Sequence, residues 1–213
     1  MIELQNIKPI PLLPNGIQAN SQTWGVVCNF KKGKKYLVSA PSGKGKSTFI
    51  HIIYGLRSDY EGQLLLEGKN IKSFDNEAWS EIRQNKLSVV FQNLRLFLNL
   101  TALENIQIKN DLHQHKSLEE IKDMAKLLGV EELLDKNCAT LSYGQRQRIA
   151  IIRSLCQPFD FLLLDEPFSH LDEGNIKKAS SLIEKECNDQ KAGLILVSLG
   201  EPYSFNYDGE LIL

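Results

Sequence analysis

The sequence predicts an α/β fold with a mostly parallel core sheet, an N-terminal antiparallel β subdomain and an inserted α-helical subdomain. Three observations predict it. A short apolar run, Lys35 to Ser39, leads into Ala40-Pro41-Ser42-Gly43-Lys44-Gly45-Lys46-Ser47-Thr48, and a longer apolar run, Phe49 to Leu56, follows. A second run, Phe161-Leu162-Leu163-Leu164, ends in Asp165-Glu166-Pro167 and has the continuous apolar character of a parallel strand covered on both faces. Between about 93 and 156 helix starts replace strand-like runs, while strand and helix alternate on either side. One domain of 213 residues results. Residues 1–92 and 157–213 form its core and β subdomain, and about 93–156 the helical subdomain.

The elements follow in order. Ile2 to Ile7 alternates as a strand; Pro9, Pro11 and Pro14 then limit regular pairing, and Asn15-Gly16 reads as a turn. Trp24 to Phe30 reads as a second strand. Lys31-Lys32-Gly33-Lys34 turns into the strand that feeds the glycine loop, and Gly55 is placed to end the helix after it. Gly62 to Gly68 is a strand bracketed by glycines, Asp75 to Gln84 a helix capped by Asp75, and Leu87 to Phe91 a strand ending at Gln92. Thr101-Ala102-Leu103-Glu104 and Ser117-Leu118-Glu119-Glu120 are capping boxes, the second opening a helix that Gly129 ends. After Phe161 to Leu164 come a helix from Asp172 to Asp189, a buried strand from Gly193 to Ser198 and a last short strand, Glu210 to Leu213.

Composition narrows the function. Apolar residues make up 42% of the chain, enough for an ordinary core, and a net charge of −1 without a long basic run gives no nucleic-acid footprint. Cys28, Cys138, Cys156 and Cys187 are scattered with no C-x-x-C pair, which fits free thiols in a reducing compartment. The first residues lack a signal design, and no run approaches the roughly 18 to 20 apolar residues of a membrane span. A cytoplasmic protein is expected, held at a membrane only through something else.

The stretch from Ala40 to Thr48 fits a phosphate-binding loop of the form G-x-x-x-x-G-K-[ST], with Ala40 in place of the first glycine. Glycines let several N–H groups point inward, and the helix behind adds its positive end. Lys46 would reach the β- and γ-phosphates and Ser47 would ligate Mg²⁺. At the end of the second apolar run Asp165 would hold Mg²⁺, and Glu166 would act as general base on an attacking water. These are the marks of a P-loop nucleoside triphosphatase.

A third stretch, Leu141-Ser142-Tyr143-Gly144-Gln145-Arg146-Gln147-Arg148, resembles the L-S-G-G-Q signature of the ATP-binding cassette (ABC) ATPases. Gln92 after its strand resembles the family's Q-loop, and Ser169-His170-Leu171-Asp172 its D-loop. The resemblance covers essentially the whole chain, and its wording is similar to the small cassettes of the lipoprotein-release, macrolide-efflux and cell-division type. It implies a head-to-tail dimer with a second copy of the chain or a paralogous cassette. ATP would lie between the phosphate loop of one subunit and the signature (Ser142, Tyr143, Gly144, Gln145) of the other. Gln92 would sense Mg²⁺ and the attacking water, and Asp172 would cross the dimer interface. It further implies a transmembrane permease subunit and a place on the inner face of the cell membrane. Leu96, Phe97, Leu98 and Leu100 would either line the groove for that permease or pack the helical subdomain's own core.

Three departures stand out. Ala40 is harmless if its φ is negative. Tyr143, where the family has glycine, would stack or hydrogen-bond across the dimer, or crowd the γ-phosphate. Leu199 occupies the position of the family's switch histidine and predicts slow hydrolysis; His170 is no obvious substitute, and His51, His113 and His115 are remote by motif. Trp24 is the nearest candidate for an adenine-stacking aromatic, but it lies in an apolar strand, which favours a place in the core. Rival readings are a soluble cassette, a cassette that regulates without turnover, and an unrelated P-loop kinase or GTPase. The last is opposed by the signature, the Asp165-Glu166 pair and the lack of N-K-x-D.

Overall fold

The computed structural model describes residues 1–213, the side chain of Asn15 excepted. In chain order the elements are β1 (Ile2–Pro9), β2 (Val27–Phe30), β3 (Lys35–Ser39), α1 (Lys46–Ile53), β4 (Tyr60–Leu66), β5 (Lys69–Asn70), α2 (Asn76–Asn85), β6 (Leu87–Val90), α3 (Ala102–Asn110), α4 (Leu118–Leu127), α5 (Tyr143–Leu155), β7 (Phe161–Asp165), α6 (Glu173–Asp189), β8 (Gly193–Ser198) and β9 (Gly209–Ile212). They build an antiparallel sheet of order β2-β1-β4-β5 and a parallel sheet of order β6-β7-β8-β3-β9.

The period of two in the central strands divides the core. Leu162 and Leu164 of β7, Leu194 and Leu196 of β8 and Leu37 of β3 face the layer built with α3 to α6. Phe161 and Leu163, Ile195 and Val197, and Val38 face α1 and the antiparallel sheet, meeting Phe49, Ile50, Ile2, Leu4 and Phe30. Both faces are therefore covered, and this is why these strands are apolar throughout rather than alternating. Each helix expected from a capping box has one: Thr101 with Glu104 and Ser117 with Glu120 exchange side-chain and backbone hydrogen bonds. Asp75 accepts from the Ala78 N–H at 2.8 Å and caps α2. All four cysteines are free and buried, and burial pushes the Cys156 and Cys187 thiols up to about 12.

The N-terminal region departs from expectation in two places. The second strand begins only at Val27, because Gly25 turns the chain with φ 73° and donates its N–H to the Ile7 carbonyl. The strand after α1 starts at Tyr60 and passes through Gly62, where a Cβ would lie 2.4 Å from the Asn6 carbonyl oxygen. Residues Ile10–Asn15 coil into a 3₁₀ turn closed by Gly16, since proline fixes φ in a range that this turn accepts. That turn carries Leu12 over the glycine loop.

Candidate nucleotide site

Because β3, β6, β7 and β8 run parallel, their C-terminal ends open on one edge of the sheet, where ligands of open α/β folds bind. The glycine loop leaves β3 there, Gln92 follows β6, Asp165 ends β7 with Glu166 behind it, and Leu199 follows β8. A cleft of about 240 Å³ lies at this edge, lined among others by Leu12, Ser42, Lys46, Ser47, Gln92 and Glu166.

The loop conformation explains its glycines. Gly43 and Gly45 have φ of 75° and 99°, in the left-handed region that disfavours a side chain. At Gly45 a Cβ would also lie 2.7 Å from Leu12 Cδ1. Ala40 stays out of that region and its N–H donates to the Ser198 carbonyl, so the missing glycine costs nothing. Lys46 is buried; its ammonium donates to the Ala40 and Pro41 carbonyls at 3.1 and 3.2 Å and lies 3.3 Å from a Glu166 carboxylate oxygen. The N–H groups of Lys46, Ser47 and Thr48 form the first turn of α1 and have no carbonyl one turn back. Loop amides, helix end and ammonium together make an anion cradle.

Beside it the polar side chains converge. The Ser47 hydroxyl donates to Gln92 Oε1 at 3.4 Å, and Gln92 Nε2 lies 3.5 Å from Glu166 Oε2. Asp165 is 1% exposed, and its Oδ1 is buried without a partner. Burial raises its pKa, Glu166 adding and the Ser47 hydroxyl and Lys46 charge opposing. An orphaned carboxylate oxygen beside a hydroxyl and an amide oxygen suits a hard divalent cation. Among the described residues no group of three His, Cys, Asp or Glu could hold a metal ion; a cation here would draw on nucleotide phosphates for its remaining ligands. Glu166 has φ 47°, a strained position for a non-glycine residue and one often found at working sites.

The signature residues behave differently. Ser142 caps α5 in a third capping box, its Oγ accepting from the Gln145 N–H while Gln145 Oε1 accepts from the Ser142 N–H. Gly144 lies against the D-loop segment, where a Cβ would be 2.8 Å from the His170 carbonyl oxygen. Ser142, Gly144, Gln145 and Asp172 do not line the phosphate cleft of their own chain. Asp172 caps α6, accepting from the Asn175 N–H at 2.8 Å, and this bond holds its carboxyl below the usual range. Tyr143 turns inward within its own chain instead: its hydroxyl donates to the Gln92 carbonyl at 2.5 Å.

One expectation changes. His51 is not remote: it shares a second cleft, of about 310 Å³, with Ser47, Gln92, Tyr143 and Asp165. It lies one turn after Ser47 on α1, which a helical spacing of four would have revealed. Burial first, then Arg95 and Arg57, holds its pKa below the ordinary value. Trp24 is 3% exposed, with its ring edge-on to Phe49, so it is a core residue. The leucine-rich stretch after Gln92 divides: Leu94 and Leu96 pack into the helical core, whereas Phe97 and Leu98 stay exposed. Leu199 is 56% exposed.

Residues 25–169, well over half the chain, match the family described as ABC transporter. The chain belongs to the ABC transporter family. This ABC domain is 34% identical over 172 residues to the lipoprotein-releasing system ATP-binding protein LolD of Buchnera aphidicola, covering 79% of this chain and 75% of that one. It is 36% identical over 169 residues to the thiamine import ATP-binding protein ThiQ of Histophilus somni, covering 78% and 76%. Among solved structures it superposes on dimeric MJ0796, a bacterial ABC transporter cassette, with a TM-score of 0.80 at 29% identity over 93% of this chain and 88% of that one. The fold is that of an ABC cassette, a P-loop triphosphatase fold. ATP binding and ATP hydrolysis are the family's activities. Among the described residues no helix is long and apolar enough to cross a membrane.

Proposed function

We propose that this ABC domain binds ATP with Mg²⁺ and hydrolyses it slowly to drive a separate membrane-spanning permease, working at the inner face of the cell membrane. The observation that carries this reading is the convergence of Lys46, Ser47, Gln92 and Glu166 on one cleft at the C-terminal edge of the parallel sheet, with Asp165 in the adjoining cleft that Ser47 and Gln92 also line. Residues Ala40 to Thr48 cradle the phosphates, and Lys46 offers its ammonium to the β- and γ-phosphates. Ser47, Gln92 and Asp165 would hold the magnesium ion, which supplies charge neutralisation at the phosphates when bound. Glu166 takes the proton of the water whose oxygen attacks the γ-phosphorus, and ADP leaves.

Ser142, Gly144 and Gln145 stand apart from their own chain's cleft, which suits a site completed by a second cassette, the same chain or a paralogue. The N-terminus of α5 is then the second half of the anion site. Residues 93–156 act as the helical unit that carries this signature, and exposed Phe97 and Leu98 offer apolar surface to the permease. Affinity purification from detergent-solubilised membranes is expected to bring down a polytopic membrane protein with the tagged chain. Recovery of soluble partners alone overturns the transporter reading.

Leu199 favours a second reading, a cassette that binds ATP and regulates its partner without turnover, because leucine has no donor for a developing charge. Leu199→His is expected to raise the ATPase rate roughly tenfold, the scale of one added hydrogen bond. An unchanged rate would mean that this position does not limit turnover.

A further inference from the structure

Tyr143 stands where the family has glycine, and its side chain has two partners in its own chain. The hydroxyl donates to the main-chain carbonyl of Gln92 at 2.5 Å, and the ring lies 4.2 Å from the His170 ring, centroid to centroid. Four residues on, and so on the same face of α5, Gln147 is wholly buried. Its Nε2 lies 3.5 Å from the Glu166 carbonyl oxygen and 3.4 Å from Ser169 Oγ, while its Oε1 accepts from the His170 N–H at 3.2 Å. The Gln92 side chain in turn reaches Glu166 Oε2 and Ser47 Oγ. A closed circuit results: α5 holds the Glu166 backbone through Gln147 and the Gln92 backbone through Tyr143, and the two held residues meet through their side chains.

Gln92 needs such support. It is exposed, follows the end of β6, and two residues on Leu94 and Arg95 have φ of 60° and 47°. Glycine at position 143 would leave the Gln92 carbonyl without its phenol and His170 without its ring contact. We propose that Tyr143 is a positioning residue that acts through Gln92, holding its amide between the Ser47 hydroxyl and the Glu166 carboxylate. The inference rests on the proposed role of Gln92 toward magnesium and the attacking water.

Tyr143→Phe tests it, since phenylalanine keeps the ring against His170 and removes only the hydroxyl. The full chain is titrated with Mg²⁺ at fixed fluorescent ATP analogue. The variant is expected to need about three- to tenfold more Mg²⁺ for half-maximal binding, the scale of one hydrogen bond. Its kcat should fall by a similar factor even with ATP and Mg²⁺ saturating for the variant, and amide exchange at residues 91–94 should quicken. Adding Tyr143→Phe to Gln92→Ala should cost nothing further, because the effect passes through Gln92. A Mg²⁺ dependence equal to wild type, or losses that add in the double variant, overturns the role of Tyr143. Wild-type binding indifferent to Mg²⁺ instead sinks the proposed metal site and the inference with it.

Discussion

Glu166→Gln is expected to retain ATP binding and to lose at least about a hundredfold in hydrolysis rate, the lower end of what a positioned general base contributes. Glutamine keeps the shape and the backbone, and it tolerates φ 47° as glutamate does, so the β7 edge should stay as it is. What it loses is the ability to accept a proton. It also frees Lys46, whose ammonium lies 3.3 Å from the Glu166 carboxylate; nucleotide affinity should therefore be equal to or tighter than wild type. Phosphate release at saturating ATP, measured with a parallel binding titration, checks both halves. A variant within twofold of the wild-type rate removes Glu166 from the reaction and leaves the regulatory reading.

The legible parts of this molecule are those whose cause is local. The strand Lys35–Ser39, the loop after it and the strand Gly193–Ser198 fall where their apolar runs and glycines put them. The capping boxes at Thr101 and Ser117 mark their helices because the Ser or Thr and the Glu three residues on need nothing from the rest of the chain. Strand ends were less legible where a long-range contact decides them: Gly62 makes room for Asn6, and β5, two residues long, exists only because β4 offers it a partner.

The site divides in the same way. Lys46, Ser47, Asp165 and Glu166 are readable because a short motif fixes each one. Leu12 over Gly45 and Tyr143 against Gln92 both depend on folding to bring distant segments together; Tyr143 and Gln92 are 51 residues apart. Gln147 did leave a trace, a glutamine amid the apolar face of α5, and a buried amide of that kind must find several partners or be costly. The tyrosine expected to reach across a dimer or to crowd the γ-phosphate finds a carbonyl within reach in its own chain, and a nearby acceptor outcompetes a remote one.

Asp165→Asn is expected to produce two large effects of opposite sign. The carboxylate is almost fully buried, one oxygen lacks a partner, and burial raises its pKa, so the ionised side chain is a cost to the nucleotide-free fold. Asparagine keeps the size and removes the charge. Relief of a partly compensated buried charge is worth on the order of 1–3 kcal/mol, or about 2–12 °C in Tm for a domain of this size. The same change takes away the anionic ligand proposed for magnesium, and Mg²⁺-dependent ATP binding should weaken about a hundredfold, on the scale of losing a charged ligand from a site with few others. Thermal unfolding without nucleotide, then with ATP and Mg²⁺, reads both. Wild type should gain stability from the ligands and the variant should not, so that their order of stability reverses on adding ATP and Mg²⁺. A lower Tm for the nucleotide-free variant would show that the Asp165 charge is already neutralised within the fold, leaving no reason to recruit a cation there.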